Sequence, residues 1–136
     1  MVATVIWEKG LTFTGSAGAE FKVPLGASDD VGGDDDGFRP MQLIAIGLAG
    51  CTAMDVMSIL TKKRQKVASF NVRVTAKQES EHPRVFTQFS IEYVITGDCI
   101  DETAVQRAIE LSETKYCPAQ AMFGQIIPIE LSYQII

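Results

Sequence analysis

The feature that most limits what this chain can become is the stretch from Met41 to Leu60, where apolar and small residues follow one another with no turn signal. Its length would suit a membrane span. It also carries Gln42 and Asp55, and a charge at the bilayer centre costs at least ~2.5 kcal/mol. Those residues support a helix of a soluble core instead, enclosed by protein on most sides, with no membrane partner. Pro40 stands where a first-turn proline is tolerated, and the pattern runs on to Gln65. Lys62, Lys63, Arg64 and Lys66 follow the apolar part, where positive charge complements the negative end of a helix dipole rather than marking a phosphate site. Gly47, Ala49, Gly50 and Ala53 weaken helix propensity but let another backbone come close, so a tightly packed helical partner is expected.

The flanking segments read mostly as strands. Residues Ala3 to Trp7 are β-rich, Leu11 and Phe13 alternate with threonines, and Phe21, Val23 and Leu25 alternate with polar or turn residues; three short antiparallel strands are expected. From Gly26 to Gly37 the chain reads GASDDVGGDDDG, with no hydrophobic period and without the ligand order or distal glutamate of a calcium loop. A solvated loop is expected there. Phe70, Val72, Val74 and Ala76, then Phe89, Ile91, Tyr93 and Ile95, mark two long strands joined by QESEHPR, a hairpin with a solvated His82 near its tip. Asp101 can cap a second helix, whose apolar stripe is Ala104, Val105, Ala108, Ile109 and Leu111. Pro118 opens a short helix through Phe123 with Cys117 at or beside its N-cap, and Ile127 to Ile135 alternate as a terminal strand. Three strands, a helix, two strands, helical segments and a strand make an α+β chain, and 136 residues without a visible linker make one domain, 1–136.

The charge balance, 12 basic against 17 acidic residues, gives −5 and no basic face, which argues against nucleic acid as a partner. The first residues, MVATVIWEKG, show no export leader, so a cytoplasmic location is expected. Three cysteines in that compartment do not form a disulfide framework. With no CxxC and one histidine there is no zinc-ligand spacing, and neither a metal nor a cofactor is expected. GxSxG, P-loop and GxGxxG elements are missing, which removes support for hydrolase and nucleotide readings. Among the cysteines, Cys117 has a physical reason to be reactive, because a helix N-terminus lowers a thiol pKa. Cys51, in an apolar helix, would need a nearby cation or donor. Cys99 sits between Asp98 and Asp101, which disfavour thiolate, and reads as a bystander. Asp55 lies one turn after Cys51, can share its face, and needs a partner; a structural salt bridge or hydrogen bond is the expected role.

Two motifs, GFRPMQLIAIGLAGCTAMDVMSIL from Gly37 to Leu60 and KYCPAQAMF from Lys115 to Phe123, occur in the order that resembles the OsmC/Ohr family of thiol-dependent hydroperoxide reductases. The GCTAxDV and KYC elements look most like an OsmC-like branch whose members are less well defined in function. The resemblance includes the strand order and covers nearly the whole chain. It implies antiparallel sheets around a central buried helix, built as an intertwined homodimer with paired active sites at its interface. It also implies that Cys51 is the peroxidatic thiol and Cys117 the resolving one, cycling through sulfenic acid and disulfide on small organic hydroperoxides. A dithiol reductant, lipoyl or thioredoxin-like, would reset the pair. The family has a glutamate directly after the proline, where this chain has Met41, and an arginine in the early strands, where this chain has none before Arg39. Arg39, at the helix entrance, is therefore the candidate to stabilise the thiolate. The same departures support an alternative, a redox-sensing or small-ligand-binding dimer of this family without peroxide turnover.

Overall fold

A computed structural model describes residues 1–18 and 20–136. They form two units, Met1–Ile44 and Ala45–Ile136.

In the first unit the three short strands form as their alternation predicts: β1 (Thr4–Lys9), β2 (Thr12–Ser16) and β3 (Lys22–Leu25), antiparallel in the order β1-β2-β3. Gly10, at φ +45°, makes the β1–β2 turn in a conformation that side chains disfavour, and Trp7 Nε1 donates to its carbonyl at 2.9 Å. The acidic loop is more ordered than its composition suggests. Asp29–Val31 make a 3₁₀ turn, Gly33 N–H donates to Ser28 O at 2.9 Å, and Asp35 N–H donates to Ala27 O at 3.0 Å. The backbone thus finds partners that the sequence does not advertise.

Helix α1 (Pro40–Lys62) begins at the end of this unit and continues through the second. It is long and apolar enough to cross a membrane by length and composition alone. The expected enclosure on most sides is not met within one chain. Only Leu48, Thr52, Val56 and Leu60 are buried, a four-residue spacing that marks one face. Ile46 and Met54 stand 50% and 76% exposed, and among the described residues a Cβ at Gly47 or Gly50 would meet nothing within 4 Å beyond the helix's own backbone and the adjacent residues. The neighbours that one chain supplies cover a single stripe of this helix.

That stripe packs in the second unit. Strands β4 (Lys66–Gln78) and β5 (Phe86–Asp98) pair antiparallel, with Val74 opposite Ile91 and Val72 opposite Tyr93, as the hairpin reading expects. His82 lies exposed in its turn. Helix α2 (Glu102–Leu111) starts on Asp101, whose carboxylate accepts from Thr103 N–H at 3.0 Å. A wide π turn, Ser112–Tyr116, leads to α3 (Pro118–Phe123) and then β6 (Ile129–Ile135). Here the antiparallel expectation needs a correction, since β6 lies parallel to β5, Ile91 opposite Leu131 and Tyr93 opposite Tyr133. The chain between them holds two helices, and such a crossover brings a strand back in the same direction where a tight hairpin would reverse it. The core gathers Leu48, Val56 and Leu60 from α1, Phe89, Ile91, Tyr93 and Ile95 from β5, and Val105, Ala108 and Ile109 from α2. Each large side chain buried this way contributes about 1.5–3 kcal/mol. The ring of Phe89 contacts those of Phe86 and Phe123 at centroid distances of 4.8 and 5.2 Å, which ties α3 to the sheet.

Candidate functional site

One turn of α1 carries Cys51, Thr52 and Asp55, and the helical period sends Thr52 into the core while leaving the other two half-buried at its edge. The stripe of α2 runs on one turn past Ile109 to Ser112, which is fully buried. The π turn then aims Cys117 back at α1. The N–H of Cys117 donates to Ser112 O at 2.9 Å, and its thiol caps α3 by accepting from Gln120 N–H at 3.4 Å. Cys51 Sγ and Cys117 Sγ end up 3.0 Å apart as free thiols, with Cys117 donating. Sulfurs this close can be bridged with small side-chain movements.

The N-cap expectation for Cys117 holds in geometry and fails in electrostatics. Burial, reinforced by the hydrogen bond to Cys51, pushes its thiol from 9.0 up to about 11, against the downward pull of the Gln120 N–H. Only 3% of Cys117 is exposed, and α3 has six residues, too few for a strong terminal field to offset desolvation.

Beneath the sulfurs lies a polar network that sequence reasoning missed. Ser112 Oγ donates to Asp55 Oδ2 at 3.1 Å, and a hydroxyl has one proton. The 2.8 Å contact between Ser112 and Thr52 is therefore Thr52 donating, and the 2.7 Å contact between Thr52 and Tyr93 is Tyr93 donating. Gln120 Nε2 also donates to Thr52 Oγ1 at 3.0 Å. Every hydroxyl in the series Tyr93, Thr52, Ser112 thus points toward the carboxylate of Asp55. Burial raises the Tyr93 phenol further above its usual range, which keeps it a donor. Among the described residues, Gln120 Oε1 is buried without a partner. The available signal was a polar residue on an apolar stripe: Thr52 within α1 and Ser112 at the next position of the α2 face.

Asp55 finds its partner in a hydroxyl and, among the described residues, forms no ion pair. It also borders a pocket of about 340 Å³ shared with Ser58, Ile59, Leu111 and Tyr116, with Lys62 and Lys63 at its rim. Ligand-capable atoms of Cys51, Asp55 and Cys117 lie within 4.8 Å of one another. The 3.0 Å sulfur separation is tighter than the ~3.8 Å between two thiolates on one tetrahedral zinc, and Cys117 holds its proton strongly. The trio is better built for thiol chemistry than for a metal. Cys99 is exposed on a left-handed turn at φ +49°. Arg39 is engaged within the first unit, donating from Nη1 to Gly37 O at 2.8 Å and forming an ion pair with Asp35 through Nη2.

Comparison with known proteins places these features in a family context. Residues 33–132 match the family model described as OsmC-like protein. Protein YhfA of Escherichia coli (strain K12) is 35% identical over 136 residues, covering 100% of this chain and 98% of its own length. The crystal structure of an OsmC-like protein from Mycoplasma pneumoniae superposes with a TM-score of 0.83 at 16% identity, covering 99% of this chain and 96% of that one. An organic hydroperoxide resistance protein from Elizabethkingia anophelis, crystallised with thiocyanate bound, gives 0.70 at 17% identity, covering 98% and 94%. At these identities the two structures bear on the fold alone.

Proposed function

Since this chain belongs to the OsmC-like protein family, we propose that it is a thiol-dependent peroxidase that reduces small organic hydroperoxides through Cys51 and Cys117. The observation that carries this reading is the 3.0 Å approach of two free thiols from distant parts of the chain, one half-buried and one buried. The Cys51 thiolate attacks the O–O bond and becomes sulfenic acid, and the released alkoxide takes a proton to leave as an alcohol. Cys117 then attacks the sulfenic sulfur, the S–O bond breaks, and a disulfide and water result. A dithiol reductant of lipoyl or thioredoxin-like type returns both thiols by exchange. The same fold is used by an organic hydroperoxide resistance protein, which makes organic hydroperoxides the class to test first. The proposal includes a cytoplasmic homodimer in which a second copy covers the exposed apolar faces of α1. It also includes Arg39 as the cation for the Cys51 thiolate, a role that requires it to exchange its Asp35 partner.

The test is thiol-driven consumption of cumene or t-butyl hydroperoxide. Cys51→Ser is expected to abolish it, and an unchanged rate in that variant ends the proposal. In the same assay Arg39→Gln is expected to slow the oxidation of Cys51; an unaltered rate removes Arg39 from the mechanism. The high pKa of Cys117 favours one second reading, a sensor or ligand-binding dimer in which oxidation is slow and not catalytic. It is distinguished by one equivalent of peroxide consumed, with no turnover when reductant is in excess.

A further inference from the structure

We propose that Asp55 is the general base that takes the proton of Cys117 as this thiol closes on an oxidised Cys51. The proposal rests on the reading of the two cysteines as a redox pair and adds a third reacting group to it. Three observations carry it. The carboxylate and the two sulfurs lie within 4.8 Å of one another, a distance covered by one water or a side-chain rotation. The carboxylate is fixed from behind by Ser112, at the end of a buried series of hydroxyls that all point toward it. Cys117 is nearly sealed from solvent, whereas Asp55 borders an open pocket, so the carboxylate is placed to carry a proton between the two.

The need for a base follows from the thiol itself. In the reduced pair, with a pKa of about 11, roughly one molecule in ten thousand holds Cys117 as thiolate at neutral pH; oxidation of Cys51 removes its own contributions to that rise and leaves the largest cause, desolvation by burial. Closure attacks through thiolate, so the unaided step is slow. In the proposed step the Cys117 S–H bond breaks as its proton passes to Asp55, and the sulfur electron pair forms the S–S bond. The bond from Cys51 to its leaving group breaks with its pair. When the leaving group is hydroxide, Asp55 returns the proton and water departs. The titratable and charged groups facing Asp55 are Cys51, Lys62 and Lys63 on its own side, and Cys117 and Tyr116 from the opposing segment.

The experiment avoids peroxide. In a Cys99→Ser background, Ellman's reagent below one equivalent releases a first thionitrobenzoate in a bimolecular phase as Cys51 is modified. A second is released in a unimolecular phase as Cys117 closes. Thionitrobenzoate needs no proton to leave, so the second phase reads deprotonation of Cys117. Asp55→Asn, which can still accept from Ser112, is expected to slow that phase by about 10²-fold or more at neutral pH. Its rate should then rise in proportion to hydroxide and rejoin the wild type above the Cys117 titration. Asp55→Glu should recover part of the rate. Closure by Asp55→Asn at the wild-type rate overturns the proposal, and so does a deficit that persists above the Cys117 titration, which marks a structural effect. If wild-type protein closes with this base dependence yet turns over no hydroperoxide, the role of Asp55 stands and the peroxidase reading falls.

Discussion

Replacing Thr52 by valine exchanges one buried hydroxyl for a methyl group of nearly equal volume, so its effect isolates the polar network. Thr52 is 0% exposed, and its oxygen has three partners at 2.7, 2.8 and 3.0 Å. Valine leaves the Tyr93 hydroxyl without its acceptor, and Gln120 Nε2 keeps only Ser112, at 3.5 Å. A stranded buried donor costs about 1–3 kcal/mol, and the added methyl returns about 0.8 kcal/mol. From the middle of that range, about 2 kcal/mol, the expected net loss is about 1 kcal/mol, or roughly 3–5 °C in Tm for a chain of this length. Urea unfolding at matched protein concentration measures it, because association shifts the midpoint. Tyr93→Phe in the Thr52→Val background removes the stranded hydroxyl, so the double variant should recover about 1 kcal/mol relative to simple addition. A Thr52→Val stability within about 0.5 kcal/mol of the wild type, or strict additivity with Tyr93→Phe, refutes the network as drawn.

Two further outcomes follow from the same geometry. The Cys117 thiol ionises near 9.0 in the unfolded chain and at about 11 in the folded one. The fold thus holds that proton more tightly, and the stability this contributes, on the order of 3 kcal/mol, is complete below pH 9 and lost between there and pH 11. Cys117→Ser should remove that part of the alkaline loss, and equal alkaline slopes in the two proteins count against the burial argument. At Gly47 and Gly50 nothing among the described residues outside the helix's own backbone and the adjacent residues lies within 4 Å of a Cβ. Alanine there would stabilise a lone chain by about 1 kcal/mol through helix propensity. If the proposed homodimer packs on this face, leucine at either position is instead expected to lower the mass seen in sedimentation; an unchanged mass with raised stability counts against a second copy on this face of α1.

The strands and helices whose signals are local were legible in the sequence. Alternation at Phe70 to Ala76 and at Phe89 to Ile95 gave the hairpin, Asp101 gave the start of α2, and Pro118 gave the start of α3 with Cys117 at its cap. The acidic loop is solvated as its composition indicates, but its turn was not legible, because that order comes from backbone hydrogen bonds, which leave no mark on composition. Asp55 was identified as needing a partner. The partner, Ser112, was not, because it is 57 positions away and a serine offers no charge to search for.

By itself the sequence determined the elements and their caps, since these depend on neighbours within one turn or one strand. Through its two motifs it also singled out Cys51 and Cys117 as the residues to watch. Tertiary structure decided how those residues behave. It turned β6 parallel, fully buried only one stripe of α1 within one chain, and brought two thiols 66 positions apart to 3.0 Å. It also reversed the pKa expected at Cys117. A helix terminus acts over one turn and can be read from Pro118, whereas desolvation sums over every element packed around the sulfur, and only the folded chain fixes that sum.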